Sequence, residues 1–362
     1  MSSGGSRTSG AYVTIDIGGT NCRSWIGDEK GTLLRAGSYE EEHGGQPTKL
    51  DQYAQAVIGE ALKLGPLEGV VVSAAGQVEK DVAEFTNWPG NPCLTVKADP
   101  QGPVVQTSKG VWTWGIPAGR VRLVNDLVAA VHGLVGVLGA DWRIPDCCPR
   151  YSAPSYKTAE DDTLADERLV LIMPGTGLGT AALVRTHDAK GDAIFTAVPS
   201  EMQHAQIPAF DAAQASLIER WKADTAAPWL RWEDFVSGKG LETAYRLLGG
   251  KEDLDAEGIA QAAQAGYDRP CVESLALFYR CVARYAQLAA LAYQPTAGVF
   301  IGGDTTRLNA GFIEQRLGNL LWHIQDNPSP PHHRALLNAP IRLVVDERID
   351  LNLHGGLWLA VH

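Results

Sequence analysis

The feature that most constrains this chain is a design it uses twice. Tyr12-Val-Thr-Ile-Asp-Ile17 is an apolar run, Gly18-Gly19-Thr20 interrupts it, and Arg23 to Ile26 resumes it. Further on, Arg168-Leu-Val-Leu-Ile-Met173 is again apolar, a stretch carrying Gly175, Thr176, Gly177 and Gly179 interrupts it, and the run continues to Val184. Short apolar runs bounded by glycines read as buried strands joined by tight turns. The first one goes on through Asp28-Glu-Lys-Gly31 into a third strand, Thr32 to Gly37, so it is a meander. It lacks both the strand–turn–helix order and the G-x-G-x-x-G spacing of a dinucleotide fold. Glycines in such a turn let backbone N–H groups come close to a phosphate. Either hairpin alone is also an ordinary turn. Two of them, one opening each half, predict two related lobes whose turns clamp a nucleoside triphosphate in the cleft between.

A chain of 362 residues is long enough for two cores. At 45% hydrophobic and 20% charged it is a globular protein. The net charge of −11 argues against nucleic acid or an anionic membrane surface as the main partner, and no run of ~20 apolar residues is present. The first ten residues read as a flexible tail without a signal-peptide core. The cysteines at 22, 93, 147, 148, 271 and 281 form no Cys-x-x-Cys pair, which points to a reducing cytoplasm with neither a zinc ribbon nor a disulfide framework.

Between the hairpins, Lys49 to Leu64 has helical spacing, with Leu50, Tyr53, Val57, Ile58 and Leu62 on one face, and Leu67 to Ala75 is a strand. Asn87 beside Trp88 suits a sugar, an amide for hydroxyls and a ring for the C–H face, and equally suits a plain turn. Val111 to Trp114 and Val121 to Val124 are strands, and the second ends in Asn125-Asp126 before an apolar helix. The carboxyl end of a strand is where ligands bind in open α/β sheets. Asp126 there can take a proton from a hydroxyl, and Asn125-Asp126 can also simply cap the helix. Residues 141–167, punctuated by Pro145, Pro149 and Pro154, read as a surface excursion.

In the second half, Glu201 and His204 are spaced i, i+3 between Pro199 and Pro208. The prolines and the lack of a third ligand speak against a metal and leave hydroxyl binding or turn capping. Gly238-Lys239-Gly240 precedes a helix and lacks the Walker A spacing. Cys271 to Tyr293 is a long helix, Gly298 to Ile301 a strand, and Gly302-Gly303-Asp304 a turn able to pass beneath an adenine or ribose. Ile341 to Val345 is the last strand, and Leu353 to Val361 is a terminal helix that crosses back to the first lobe.

In this order the motifs resemble those of the bacterial glucokinase family, within the actin, sugar kinase and Hsp70 ATPase superfamily. Asp16-Ile-Gly-Gly-Thr-Asn-Cys-Arg23 is similar to its first phosphate motif, Val124-Asn125-Asp126 to the one bearing the catalytic Asp, and Gly175-Thr-Gly-Leu-Gly179 to the second phosphate motif. Glu201-x-x-His204 and Glu233, before Phe235-Val-Ser-Gly-Lys-Gly-Leu241, are similar to its sugar ligands. The resemblance implies an α/β, two-lobed, actin-like ATPase (ribonuclease H-like) fold, with mixed sheets flanked by helices and the active-site cleft between lobes. The small lobe spans 11–124, joined by a terminal helix 355–362, and the large lobe spans 125–354. It implies ATP-dependent phosphorylation of a hexose, glucose first, with Asp126 as general base. Asn125, Glu201, His204, Glu233 and Asn87 hold the sugar. Asp16, Gly18, Gly19, Thr20, Asn21, Gly175, Thr176, Gly177, Gly179, Gly302 and Gly303 hold the nucleotide, and Asp16 places Mg²⁺ through water. A homodimer is common in such families, and no structural zinc is implied. Other readings of the same fold are a kinase for another hexose or amino-hexose, a sugar-binding regulator without catalysis, or a phosphotransferase acting on a carboxylate. The chain departs from the family in two places. Met202-Gln203 stand where two glycines are usual, which predicts a reshaped sugar pocket, and Asp304 brings a charge to the adenosine turn.

Overall fold

A computed structural model describes residues 10–18, 21–35, 41–42, 47–79, 82–85, 93–95, 104–107, 110–113, 120–138, 150–151 and 168–362. Gly19, Thr20, Asn87 and all but two residues of the 141–167 stretch lie outside the described residues. The chain forms two compact units, Met1–Ala140 with Asp350–His362, and Asp141–Ile349.

In the first unit, β1 (Ala11–Ile17) and β2 (Asn21–Gly27) make the first hairpin, and β3 (Leu33–Arg35) and β4 (Glu41–Glu42) both pair with β2. Helix α1 (Pro47–Leu64) leads to β5 (Leu67–Ala74), parallel to β1. A separate antiparallel sheet follows, of β6 (Gln77–Glu79), β7 (Val82–Glu84), β8 (Cys93–Thr95), β9 (Val104–Thr107) and β10 (Gly110–Thr113). Then β11 (Val121–Asn125) returns parallel to β5 and runs directly into α2 (Asp126–Leu138).

The second unit begins, among the described residues, with the two-residue β12 (Arg150–Tyr151). Its hairpin is β13 (Arg168–Pro174) and β14 (Leu178–His187), extended by β15 (Ala193–Ser200). Helices α3 (Ala212–Thr225), α4 (Trp232–Phe235), α5 (Gly238–Leu247), α6 (Ala256–Ala265) and α7 (Arg269–Tyr293) lead to β16 (Gly298–Ile301). Helices α8 (Asp304–Leu308), α9 (Ala310–Gln315), α10 (Leu317–Gln325) and α11 (Pro330–Asn338) lead to β17 (Ile341–Leu343), and α12 (Leu351–Val361) closes the chain in the first unit. No helix among the described residues is long and apolar enough to cross a membrane.

The main sheets share one strand order. The first runs β3-β2-β1-β5-β11 and the second β15-β14-β13-β16-β17, each with an antiparallel hairpin on one side and two parallel strands on the other. The central parallel strands β5 and β16 carry apolar runs covered on both faces: Val70, Val71 and Val72 in β5, and Val299 and Phe300 in β16, are all buried. Each sheet has its own core, one gathered on Ile15, Ile17, Val57 and Val72, the other on Ile172, Trp232, Phe235 and Tyr285.

The unit boundary departs from the sequence reading, which gives residues 125–138 to the second lobe. They belong to the first unit, because α2 packs on α12 backbone to backbone. A Cβ built on Gly355 would stand 1.7 Å from the carbonyl oxygen of Ala129, and one on Gly133 would stand 2.1 Å from that of Leu351. No side chain fits there, so the glycines set the closeness of the two helices.

Candidate active site

In the first unit the parallel strands end at Asn125-Asp126. Asn125 is the last residue of β11 and caps α2: its Oδ1 accepts from the N–H of Leu127 at 2.9 Å. Its Nδ2 donates to the carbonyl oxygen of Gly76 at 2.8 Å, which ties the strand end to the loop after β5. Asp126 is the first residue of α2, half-buried, and its Oδ1 accepts from the same Leu127 N–H at 2.9 Å. A carboxylate at a helix N-terminus is stabilised in its charged form, the form a base needs. Asn125 thus caps the helix and fixes the backbone that presents Asp126.

Asp16 is a different case. It is 2% exposed at the end of β1, and its oxygens are taken. Ser73 Oγ donates to Oδ1 at 2.7 Å, Asn352 Nδ2 donates to the same oxygen at 3.1 Å, and Arg23 Nη2 donates to Oδ2 at 2.8 Å. Arg23 also bonds Asp350, whose other oxygen caps α12 at Leu353 N. These donors make Asp16 a buried clamp joining β1, β2, β5 and α12. Gly18 lies two residues on, at the mouth of the hairpin, and Asn21 opens β2.

In the second unit the chain brings Glu201, His204 and Glu233 together. Residues 205–207 run beside 230–232: Trp232 N donates to Ala205 O at 3.2 Å and Ile207 N to Leu230 O at 2.9 Å. Trp232 is buried against Phe210 and Tyr285, which fixes α4 and with it Glu233. A 3₁₀ turn, Met202–His204, stacks residues three apart. His204 Nε2 thus lies 3.3 Å from Glu201 Oε2, while His204 Nδ1 lies 3.3 Å from Glu233 Oε2. Glu233 Oε1 reaches over the second hairpin, within 3.4 Å of Leu178 N. A Cβ on Gly177 would stand 2.4 Å from that oxygen, so Gly177 makes room for Glu233. No group of three or more metal-ligating side chains occurs among the described residues.

The second hairpin is held by its own backbone. Gly175 N–H donates to Gly177 O at 2.8 Å, and Gly238 N, at the start of α5, donates to Gly175 O at 3.1 Å. The amide of Gly175 therefore closes the turn, a correction to its expected part in holding phosphate. Thr176 is exposed at the tip and Gly179 lies in β14. β16 runs parallel to β13, so its end brings Gly302-Gly303 beside this hairpin: a Cβ on Gly303 would stand 3.8 Å from Pro174 O. Gly303 has a φ of 88°, which favours glycine, and it admits α8.

Residues 104–351 match the family model described as Glucokinase. The chain belongs to the glucokinase family. Membership makes it an ATP-dependent sugar kinase. A glucokinase from Caulobacter sp. (strain K31) is 26% identical over 95% of this chain and 98% of its own length. The crystal structure of glucokinase from Balamuthia mandrillaris in complex with glucose matches with TM-score 0.77 and 23% identity, covering 98% of this chain and 94% of that one. A ROK family glucokinase from Streptomyces griseus in complex with glucose and AMPPNP matches with TM-score 0.59 and 17% identity, over 97% and 99% of the two chains. The α/β fold of mixed sheets flanked by helices is thus one that glucokinases share.

Both departures from the family's pattern have local explanations. Met202 packs against the core, and Gln203 is 8% exposed with its amide on Glu201. Asp304 is the first residue of α8, where a carboxylate suits the helix dipole, and it pairs with Arg307 at 3.1 Å. Arg231, which no motif marks, joins the cluster: its Nη1 lies 3.5 Å from His204 Nδ1 and 3.9 Å from Glu233 Oε2. Asp234 holds that guanidinium from one turn on, at 2.8 Å. An Arg and an Asp three apart on a helix start are ordinary surface residues, so nothing in the pattern marked them.

Proposed function

We propose that this kinase phosphorylates glucose, with Asp126 accepting the proton of the attacking hydroxyl as it meets the γ-phosphate of ATP. The observation that carries this reading is the set Glu201, His204 and Glu233, two carboxylates facing the two nitrogens of one imidazole. Such a set can both donate to and accept from neighbouring hydroxyls, and it discriminates against analogues that would leave its members unpaired. Asn125 completes the sugar ligands. The turns at Gly18, at Thr176–Gly177 and at Gly302–Gly303 are assigned to the nucleotide. Positioning and electrostatics supply most of the rate in phosphoryl transfer, and the part proposed for Asp126 is to remove the proton. Asp16 is proposed to place the magnesium ion through water, the role that the resemblance implies for it. The proposed compartment is the cytoplasm, consistent with the free thiols of Cys22, Cys93, Cys271 and Cys281.

The test is ADP release with a panel of hexoses and amino-hexoses, run on the native chain and on Asp126→Asn. Glucose-dependent turnover is expected for the native chain, and a fall of ~10² or more in kcat for the variant, with sugar and ATP binding retained. Near-native turnover of Asp126→Asn removes the base assignment. Sugar binding without turnover by the native chain replaces the kinase with a sensor.

A further inference from the structure

We propose that Gln203 is a positioning residue that sets the carboxylate of Glu201, and through it the imidazole of His204, for the sugar. The inference rests on the reading of Glu201 and His204 as sugar ligands.

Glu201 needs support. Its side chain is 67% exposed and stands at the start of a turn only three residues long. An unanchored Glu keeps several rotamers, and ordering it costs side-chain entropy. Gln203 supplies the anchor from below. Its Nε2 donates to Glu201 Oε2 at 2.8 Å, and that same oxygen is the one 3.3 Å from His204 Nε2.

Gln203 is itself held. Met202 on one side packs into the core, and Met202 N donates to Ser200 Oγ at 3.1 Å. The His204 N–H donates to Glu201 O at 3.0 Å, which closes the turn around the glutamine. The orientation of the amide is decided by Glu201. Turned over, the Gln203 carbonyl oxygen would face a carboxylate, acceptor against acceptor. As placed, its Oε1 is buried without a partner among the described residues, and the bond to Glu201 selects this orientation of the amide. The two bulky residues between Glu201 and His204 thus have separate tasks, Met202 fixing the turn and Gln203 aiming the carboxylate.

Two isosteric variants separate aiming from packing. Gln203→Met keeps the bulk and loses the donor. Its hexose KM is expected to rise about tenfold, equivalent to about 1.4 kcal/mol, with ATP KM within about twofold and an unchanged Tm. Gln203→Glu places a second carboxylate against Glu201, and two such groups in contact retain a proton between them. Its hexose KM is expected to be worst near pH 8 and to approach the native value toward pH 6, whereas the defect of Gln203→Met stays constant with pH. A native hexose KM in Gln203→Met overturns the proposal, as does a Gln203→Glu profile that parallels Gln203→Met at every pH, since packing alone would then account for the residue. A native chain that neither binds nor phosphorylates any hexose overturns the reading beneath it, a result visible before either variant is made.

Discussion

In the first unit, the strand that enters the hairpin delivers a carboxylate, Asp16, to a buried cluster with Ser73, Arg23 and Asn352. In the second, the residue at the matching place is Met173, the strand end is apolar, and the hairpin is tied by amides of Gly175 and Gly238 with Glu233 laid over Gly177. The strand order is the same and the anchoring is not. In the first unit charge holds the hairpin to the C-terminal helix, whereas in the second the one carboxylate at the hairpin belongs to the proposed sugar site. A repeated strand order can therefore be anchored by charge at one copy and by backbone amides at the other.

The largest effect expected from this difference is on stability. If the first unit depends on α12, then Gly355→Ala is severe, because the new Cβ meets Ala129 O at 1.7 Å and Gly133 N at 2.5 Å, both backbone. Neither can step aside, so α12 must lift from α2 and from the Asp16 cluster. A loss of about 3 kcal/mol or more is expected in urea unfolding. In the second unit, Gly311 and Gly318 lie on helices with nothing within 4 Å of a built Cβ. Alanine at either is expected to be neutral or stabilising by up to about 1 kcal/mol. Similar losses at Gly355 and Gly318 would erase the distinction.

Acid probes the units in another way. In the first, the buried carboxylate of Asp16 is fully partnered. In the second, His323 on α10 is 8% exposed and its buried Nδ1 has no partner among the described residues. Burial, with Arg284 and Arg280 nearby, pushes its pKa down from 6.5 to about 4, while Asp326 and Asp211 oppose the shift. The unfolded chain then binds the proton near pH 6.5 and the folded chain only near 4. Between those values the unfolded state holds more protons, so stability falls as pH drops through that window, by at most about 3 kcal/mol. His323→Gln is expected to flatten the unfolding free energy between pH 6.5 and 4. An unchanged slope would show that the acid response of this unit lies elsewhere.

Much of this was legible in the sequence because it is local. The two hairpins, α7, and the strand end at Asn125-Asp126 follow from apolar runs, glycines and a cap, and Glu201 and His204 are three apart. What was not legible depends on distant partners. The clamp at Asp16 needs Asn352, 336 positions away. The unit boundary after α2 is set by glycines rather than an apolar stripe, so periodicity could not reveal it. Strands β6 to β9 are three or four residues long, too short for an alternating pattern to show, and only β10 was anticipated. Gln203 looked like an obstruction because sequence gives its bulk and not its direction.

The smallest effect separates two meanings of a glycine-rich turn. The Gly177 turn is proposed to let backbone approach phosphate, and the Cβ position of Gly177 is filled by Glu233 Oε1, at 2.4 Å. That atom ends a flexible side chain, so Gly177→Ala can be accommodated by moving the carboxylate, with a stability change expected below about 1 kcal/mol. The consequence falls on Glu233 and, through the 3.3 Å contact, on His204. Hexose KM is therefore expected to rise about tenfold, near 1.4 kcal/mol, with ATP KM changed less than about threefold. Steady-state kinetics with each substrate varied in turn decides the matter. If ATP KM rises and hexose KM does not, the glycine serves the nucleotide, and the second hairpin is closer in role to the first than the position of Glu233 indicates.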